Sequence, residues 1–147
     1  MVEDNLDDAL LMIRAFARAD IHTPLPILKS GDEAIAYLAE ASSSDSRLRL
    51  HGPSLVLLDL ELPGKSGFEV LAWIRRQPML RRLPVVILST SSDLDRVYRA
   101  YELGANSYLV KPATLKDLVE LVSGVQRFWG THNHGWPEDW TGGSPCP

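Results

Sequence analysis

Glu3-Asp4, Asp59, Ser89-Thr90 and Lys111 are the residues of this chain whose types suit chemistry and whose spacing sets them at the ends of successive apolar runs. Carboxylates converging on one crevice repel and raise one another's pKa, so the set is tolerable only if a cation joins them. Hard oxygen donors select Mg2+ or Mn2+, and Mg2+ keeps several waters while accepting two or three carboxylates, a backbone carbonyl and an incoming phosphoryl oxygen. A lysine ammonium and a serine hydroxyl can then hold the other oxygens of that phosphoryl group while one carboxylate attacks in line.

That chemistry requires elements that end in one place. The run Leu55-Val56-Leu57-Leu58-Asp59-Leu60-Glu61-Leu62, between Gly52-Pro53 and Pro63-Gly64, reads as a strand buried on both faces with Asp59 at its carboxyl end. Pro84 to Leu88 reads as another, leading to Ser89, and Ser107 to Val110 as a short strand ended by Lys111-Pro112. Pro24 to Leu28 is a further short strand, and the residues before Glu3 are a first. Helices alternate with them. Leu6, Leu10, Ile13 and Ala17 form the expected core stripe of a helix capped by Asn5, and Ser30 with Glu33 has capping-box spacing ahead of Ala34 to Ala41. Ser66 with Glu69 repeats that spacing, the next helix is expected over Asp93 to Leu103 with Gly104 as its stop, and Thr114 caps a last helix whose stripe is Leu115, Leu118, Val122, Val125 and Trp129. Strands alternating with helices imply an α/β doubly wound, five-stranded parallel sheet with its ligands at the carboxyl ends of the strands.

With 147 residues, 45% of them hydrophobic, the chain can bury one core. Residues 1–128 form the expected domain, and the Gly-, Pro-, His- and Trp-containing stretch 129–147 is expected to be a tail outside it. A net charge of -4 gives no footprint for nucleic acid, and the single Cys146 can build neither a disulfide framework nor a thiolate metal site. No apolar stretch has the roughly 18 residues that read as a membrane span, so a cytoplasmic protein is expected. His132 and His134 have a spacing that could bind metal but read as inert, whereas Trp129, Trp136 and Trp140 read as docking residues.

Val2-Glu3-Asp4-Asn5, Leu57-Leu58-Asp59-Leu60-Glu61-Leu62-Pro63 with Gly67 beyond, Ile87-Leu88-Ser89 and Leu109-Val110-Lys111-Pro112 together resemble the response-regulator receiver domain, from Met1 to about Phe128. The resemblance implies a flavodoxin-like receiver fold and a two-component switch rather than an enzyme acting on a separate substrate. Asp59 is then the phosphoacceptor for a sensor histidine kinase. Asp4 binds Mg2+ or Mn2+ directly, Glu3 acts through water, and Glu61 lends the metal its backbone carbonyl. Ser89 bonds the phosphoryl group, Lys111 pairs with it, Lys111-Pro112 is a cis bond, and Tyr108 is the switch aromatic. In lacking an output domain, and in the Phe128-Trp129 that closes the domain, the chain further resembles single-domain regulators that serve bacterial phytochromes, which implies a bacteriophytochrome kinase. It also implies a homodimer through the fourth helix, fifth strand and fifth helix of the fold. Glu61 and Ser91 are expected to tune the phosphoryl lifetime.

The chain departs from the family in its first strand, where only Met1 and Val2 precede Glu3. Unpaired backbone beside that slot would cost roughly 1 to 3 kcal/mol per group. The expectation is that the natural start lies upstream or that another segment fills the slot, with Glu3 and Asp4 poorly held otherwise. Two other functions compete: a receiver-like binding module with a disabled site, and an aspartate-nucleophile phosphatase of the haloacid dehalogenase type. The latter wants an Asp where this chain has Glu61.

Overall fold

The structure is a computed structural model that describes residues 1–42 and 53–132. Its centre is three parallel strands, β1 (Val56–Leu58), β2 (Val85–Ser89) and β3 (Ser107–Val110), hydrogen-bonded in that order. β1 and β2 are buried throughout, as expected of apolar runs covered on both faces. The register sets Leu58 beside Ile87 and Ser89 beside Val110, so the carboxyl ends of the strands lie side by side.

Two shorter segments extend the sheet beyond β1. Val2 bridges Leu58 on one side and Leu28 on the other, both in parallel. The Val2 N–H donates to the Leu57 carbonyl (2.8 Å), the Asp59 N–H to the Val2 carbonyl (3.1 Å), the Glu3 N–H to the Leu28 carbonyl (2.8 Å) and the Leu28 N–H to the Met1 carbonyl (2.9 Å). The sheet thus has the five expected positions, but the first two strands read from the sequence are reduced to isolated bridges. Glu3 is consequently well held, contrary to the expectation for so short a first strand: Met1–Glu3 itself fills the upper part of the slot. Below it lies an apolar cavity of about 290 Å3, walled by Leu25, Leu28, Leu38, Leu55, Val125 and Trp129 among others.

The helices are α1 (Leu6–Arg18), α2 (Gly31–Ala41), α3 (Gly67–Arg76), α4 (Leu94–Glu102) and α5 (Leu115–Val125). Their caps follow the residue types. Asn5, Ser30, Ser66, Asp93 and Thr114 each accept backbone N–H groups of the first turn, and Ser66 and Glu69 form the full capping box. Gly104 takes a positive φ just past α4, as a helix stop requires. One core joins Ala34, Leu38, Phe68, Val70, Leu71, Ile74 and Ala100 to Leu58 and Ile87; the other joins Met12, Ala15, Leu118 and Val122 to Leu57, Val86 and Leu88. α1 and α5 therefore cover one face of the sheet and α2, α3 and α4 the other.

α1 corrects one expectation. Leu6, Leu10, Ile13 and Ala17 are exposed, and Ala9, Met12 and Ala15 are buried instead. Asp8, Met12 and Ala15 lie on one face at spacings of four and three, so the rotation that buries Met12 and Ala15 also turns Asp8 toward the sheet's carboxyl end. The α5 stripe packs inward as read, and Gln126–His132 continues it as a wider π-helical segment whose Trp129 rests against the second core. Trp129, placed by its sequence context at the start of a tail, is thus packed; His134, Trp136, Trp140 and Cys146 lie outside the described residues.

Candidate functional site

At the carboxyl ends of the strands, one ammonium gathers three carboxylates. Lys111 Nζ donates to Asp59 Oδ2 (2.6 Å), Glu3 Oε2 (2.6 Å) and Asp8 Oδ2 (2.9 Å). Each is delivered by a separate element: Asp59 by the end of β1, Glu3 by the segment bridged to it, Asp8 by the first turns of α1, and Lys111 by the residue after β3, whose N–H donates to the Ser89 carbonyl (2.8 Å). The Lys111 side chain is 11% exposed and the Glu3 side chain 1%.

Burial by itself would lower the Lys111 pKa, but the hydrogen bonds it donates to Asp59, Glu3 and Asp8 outweigh it and hold the ammonium above its ordinary range, so it stays charged. Glu3 moves upward: burial raises its pKa, the Lys111 bond and charge oppose this, and the neighbouring Asp59 adds to the rise. Three carboxylates against one ammonium leave an excess of negative charge in a largely enclosed place.

Asp59 Oδ1 also accepts the Glu61 N–H (3.1 Å), which fixes the carboxylate in the turn that leaves β1. Gly67 brings the start of α3 against the same turn. A Cβ there would stand 2.1 Å from the Asp59 carbonyl oxygen, and the Gly67 N–H donates to the Leu60 carbonyl (3.0 Å). Only glycine fits that approach.

Ser89 is buried and Thr90 exposed, which settles which of the two hydroxyls is enclosed at the end of β2. Ser89 Oγ accepts the Ser91 N–H (3.2 Å), and the Ser91 carbonyl accepts the Tyr108 hydroxyl (2.8 Å), so a chain of contacts runs from Ser89 to Tyr108 on β3. Tyr108 is half-buried, and its N–H donates to the Tyr101 hydroxyl of α4 (3.2 Å).

Two expectations change. The Lys111-Pro112 bond is trans, like every described peptide bond; trans is the lower-energy isomer before proline by about 0.5–1 kcal/mol, and Lys111 reaches Asp59 from it. Asp4, expected among the ligands, is exposed and makes no hydrogen bond or ion pair among the described residues, while Asp8 takes a place that was not expected. No local signal marked Asp8, which reaches Lys111 only through the face of α1 that packs on the sheet. Among the described residues no three acidic, histidine or cysteine side chains are drawn around a common metal position, because the carboxylates close on Lys111 instead.

Residues 1–123 match the family described as the response regulator receiver domain. The chain is 43% identical to response regulator Rcp1 of Synechocystis sp. over 129 residues, 88% of this chain and 86% of that protein. Among solved structures it is similar to the phosphorylated cyanobacterial phytochrome response regulator RcpA, with a TM-score of 0.80, 39% identity and coverage of 91% of this chain and 94% of the other. It is similar too to the Mn2+-bound form of Rcp1, with a TM-score of 0.77, 39% identity and coverage of 92% and 96%.

Proposed function

The chain belongs to the response regulator receiver family of two-component signalling, and we propose that within it Asp59 accepts a phosphoryl group from a histidine kinase, switching the surface around Tyr108. The observation that carries this reading is the Lys111 ammonium seated on Asp59 with buried Glu3 beside it. Asp59 Oδ attacks phosphorus, the bond from phosphorus to the donor nitrogen breaks, and the donor imidazole leaves with a proton. Lys111 holds Asp59 ready, and then a phosphoryl oxygen. Ser89 Oγ, whose hydroxyl hydrogen is not used by the Ser91 N–H it accepts, would donate to another.

The donor chemistry fits a divalent cation. The excess negative charge around Lys111, and the upward shift of Glu3, are what a hard cation relieves. Glu3, Asp4, Asp59 and the Glu61 backbone carbonyl are the groups that would hold Mg2+ or Mn2+, and the ion supplies neutralisation of charge on the phosphoryl oxygens. A Mn2+-bound form is known for the similar Rcp1.

The partner we propose is a phytochrome histidine kinase, on the strength of the similarity to RcpA, a phytochrome response regulator. Leu6, Leu10 and Ile13 leave an apolar stripe exposed on the helix that carries Asp8, beside the mouth through which a donor must come. The surface of α4, β3 and α5, with Tyr98, Tyr101 and Val110 exposed, is the proposed dimer face. A second reading, a binding module that takes no phosphoryl group, is favoured by one observation, the closure of Asp8 as well as Glu3 and Asp59 on Lys111. No described helix is long and apolar enough to cross a membrane.

The test is intact mass after incubation with a small phosphoryl donor and Mg2+. One added phosphoryl group, absent in Asp59→Asn, is the expected result. No addition to the wild-type chain would establish the binding module.

A further inference from the structure

The turn after β1 and the start of α4 meet through one ion pair. Arg96 Nη1 donates to Glu61 Oε1 at 2.8 Å, with the guanidinium side chain 36% exposed and the carboxylate 66%. Exposed pairs contribute little to stability, so its interest lies in where it puts charge. Glu61 is anchored at the reacting group by its own N–H, which donates to Asp59 Oδ1 (3.1 Å). Its side chain therefore springs from the lip of the site. Arg96 is anchored on the opposite lip, in the first turn of α4, where its N–H donates to the capping Asp93 Oδ1 (3.2 Å). The pair spans from the Asp59 turn to the helix that follows Ser89 and Ser91.

Two further carboxylates stand by the site. Asp4 is exposed on the side of Glu3, and Asp8 is partly exposed. A phosphoryl donor is an anion, and an unpaired Glu61 carboxylate swinging over Asp59 would add repulsion on its path. We infer that Arg96 is a positioning residue for phosphoryl transfer: it draws the Glu61 carboxylate toward α4, away from the approach to Asp59, and so sets the rate at which anionic donors load the site. The inference rests on Asp59 being the phosphoacceptor.

The experiment measures the rate of Asp59 phosphorylation by acetyl phosphate with Mg2+ in the full chain, at low and high salt, for wild type, Arg96→Ala, Arg96→Lys, Glu61→Gln and the Arg96→Ala/Glu61→Gln double variant. Arg96→Ala is expected to slow loading by about three- to tenfold at low salt and less at high salt, as an exposed charge effect must. Arg96→Lys should recover much of the loss, because a lysine can still pair with Glu61. The double variant should load as fast as Glu61→Gln, since the displaced carboxylate is no longer there to repel. An Arg96→Ala rate equal to wild type overturns the inference. So does a double variant as slow relative to Glu61→Gln as Arg96→Ala is to wild type, which would make Arg96 a direct contact of the donor. Failure of the wild-type chain to load at all would instead remove the phosphoacceptor reading, and this inference with it.

Discussion

The two ends of the sheet are built on opposite terms. At the carboxyl end, charged groups from four separate segments are forced together, and the hydrogen bonds of Lys111 compensate their burial. At the amino end the same strands border an apolar cavity of about 290 Å3 in which packing is incomplete. One end holds electrostatic strain with full contacts; the other has missing contacts. Variants at the first should therefore move stability and phosphorylation together, and variants at the second should move stability alone.

The largest expected break in this contrast is Lys111→Ala. It leaves buried Glu3 and Asp59 without their counter-charge, a class of change that costs about 3–5 kcal/mol, and it removes the group proposed to hold the phosphoryl oxygens. Chemical denaturation should show the loss, smaller with Mg2+ present, and intact mass should show no phosphorylation even where the variant is folded. Leu38→Ala comes next. Leu38 is 2% exposed and borders the cavity, so truncation should cost about 2–5 kcal/mol by enlarging a void. Its phosphorylation rate, measured below its transition temperature, should equal that of wild type.

Glu3→Gln sharpens the contrast with an effect of opposite sign. The raised native pKa of Glu3 means that the folded chain binds its proton more tightly than the unfolded chain does. Glu3 therefore favours folding at low pH, and that contribution is lost as pH rises from the ordinary value of 4.5 through the raised one. Replacing it should flatten the fall, so that metal-free Glu3→Gln gains on wild type across that window. Metal affinity, followed by titration with Mn2+, should drop. A variant that lost stability at neutral pH would show that the third carboxylate of the cluster is an asset rather than a strain.

What could be read in the chain follows the same division. Asp59, Ser89 and Lys111 were legible because each ends an apolar run, and a strand buried on both faces has little freedom in where it stops. Ser66, Thr114 and Gly104 were legible because cap chemistry is local. The orientation of α1 was not. Its periodicity marks two apolar arcs, Leu6-Leu10-Ile13 and Ala9-Met12-Ala15, and nothing local says which one the sheet covers. The smaller arc is buried, where α1 lies against α5 and the sheet, and with that choice Asp8 joins Lys111. The short first strand misled in the same way, since the pairing of Met1–Glu3 depends on two partners far along the chain. The isomer at Pro112 depends likewise on tertiary surroundings that no neighbouring residue reports.

The hydrogen bond from the Tyr108 hydroxyl to the Ser91 carbonyl sets a scale for how quiet the resting protein is. A neutral bond of this kind is worth about 0.5–1.5 kcal/mol net, which weights the clasped arrangement over a released one by only about two- to thirteenfold. On that bond alone, the released tyrosine would be a minority of roughly a tenth to a third of molecules before any phosphoryl group arrives. On the proposed role of Tyr108, such a protein would signal by changing a proportion, with a standing background set by one hydroxyl, and Tyr108→Phe would change the background rather than the trigger.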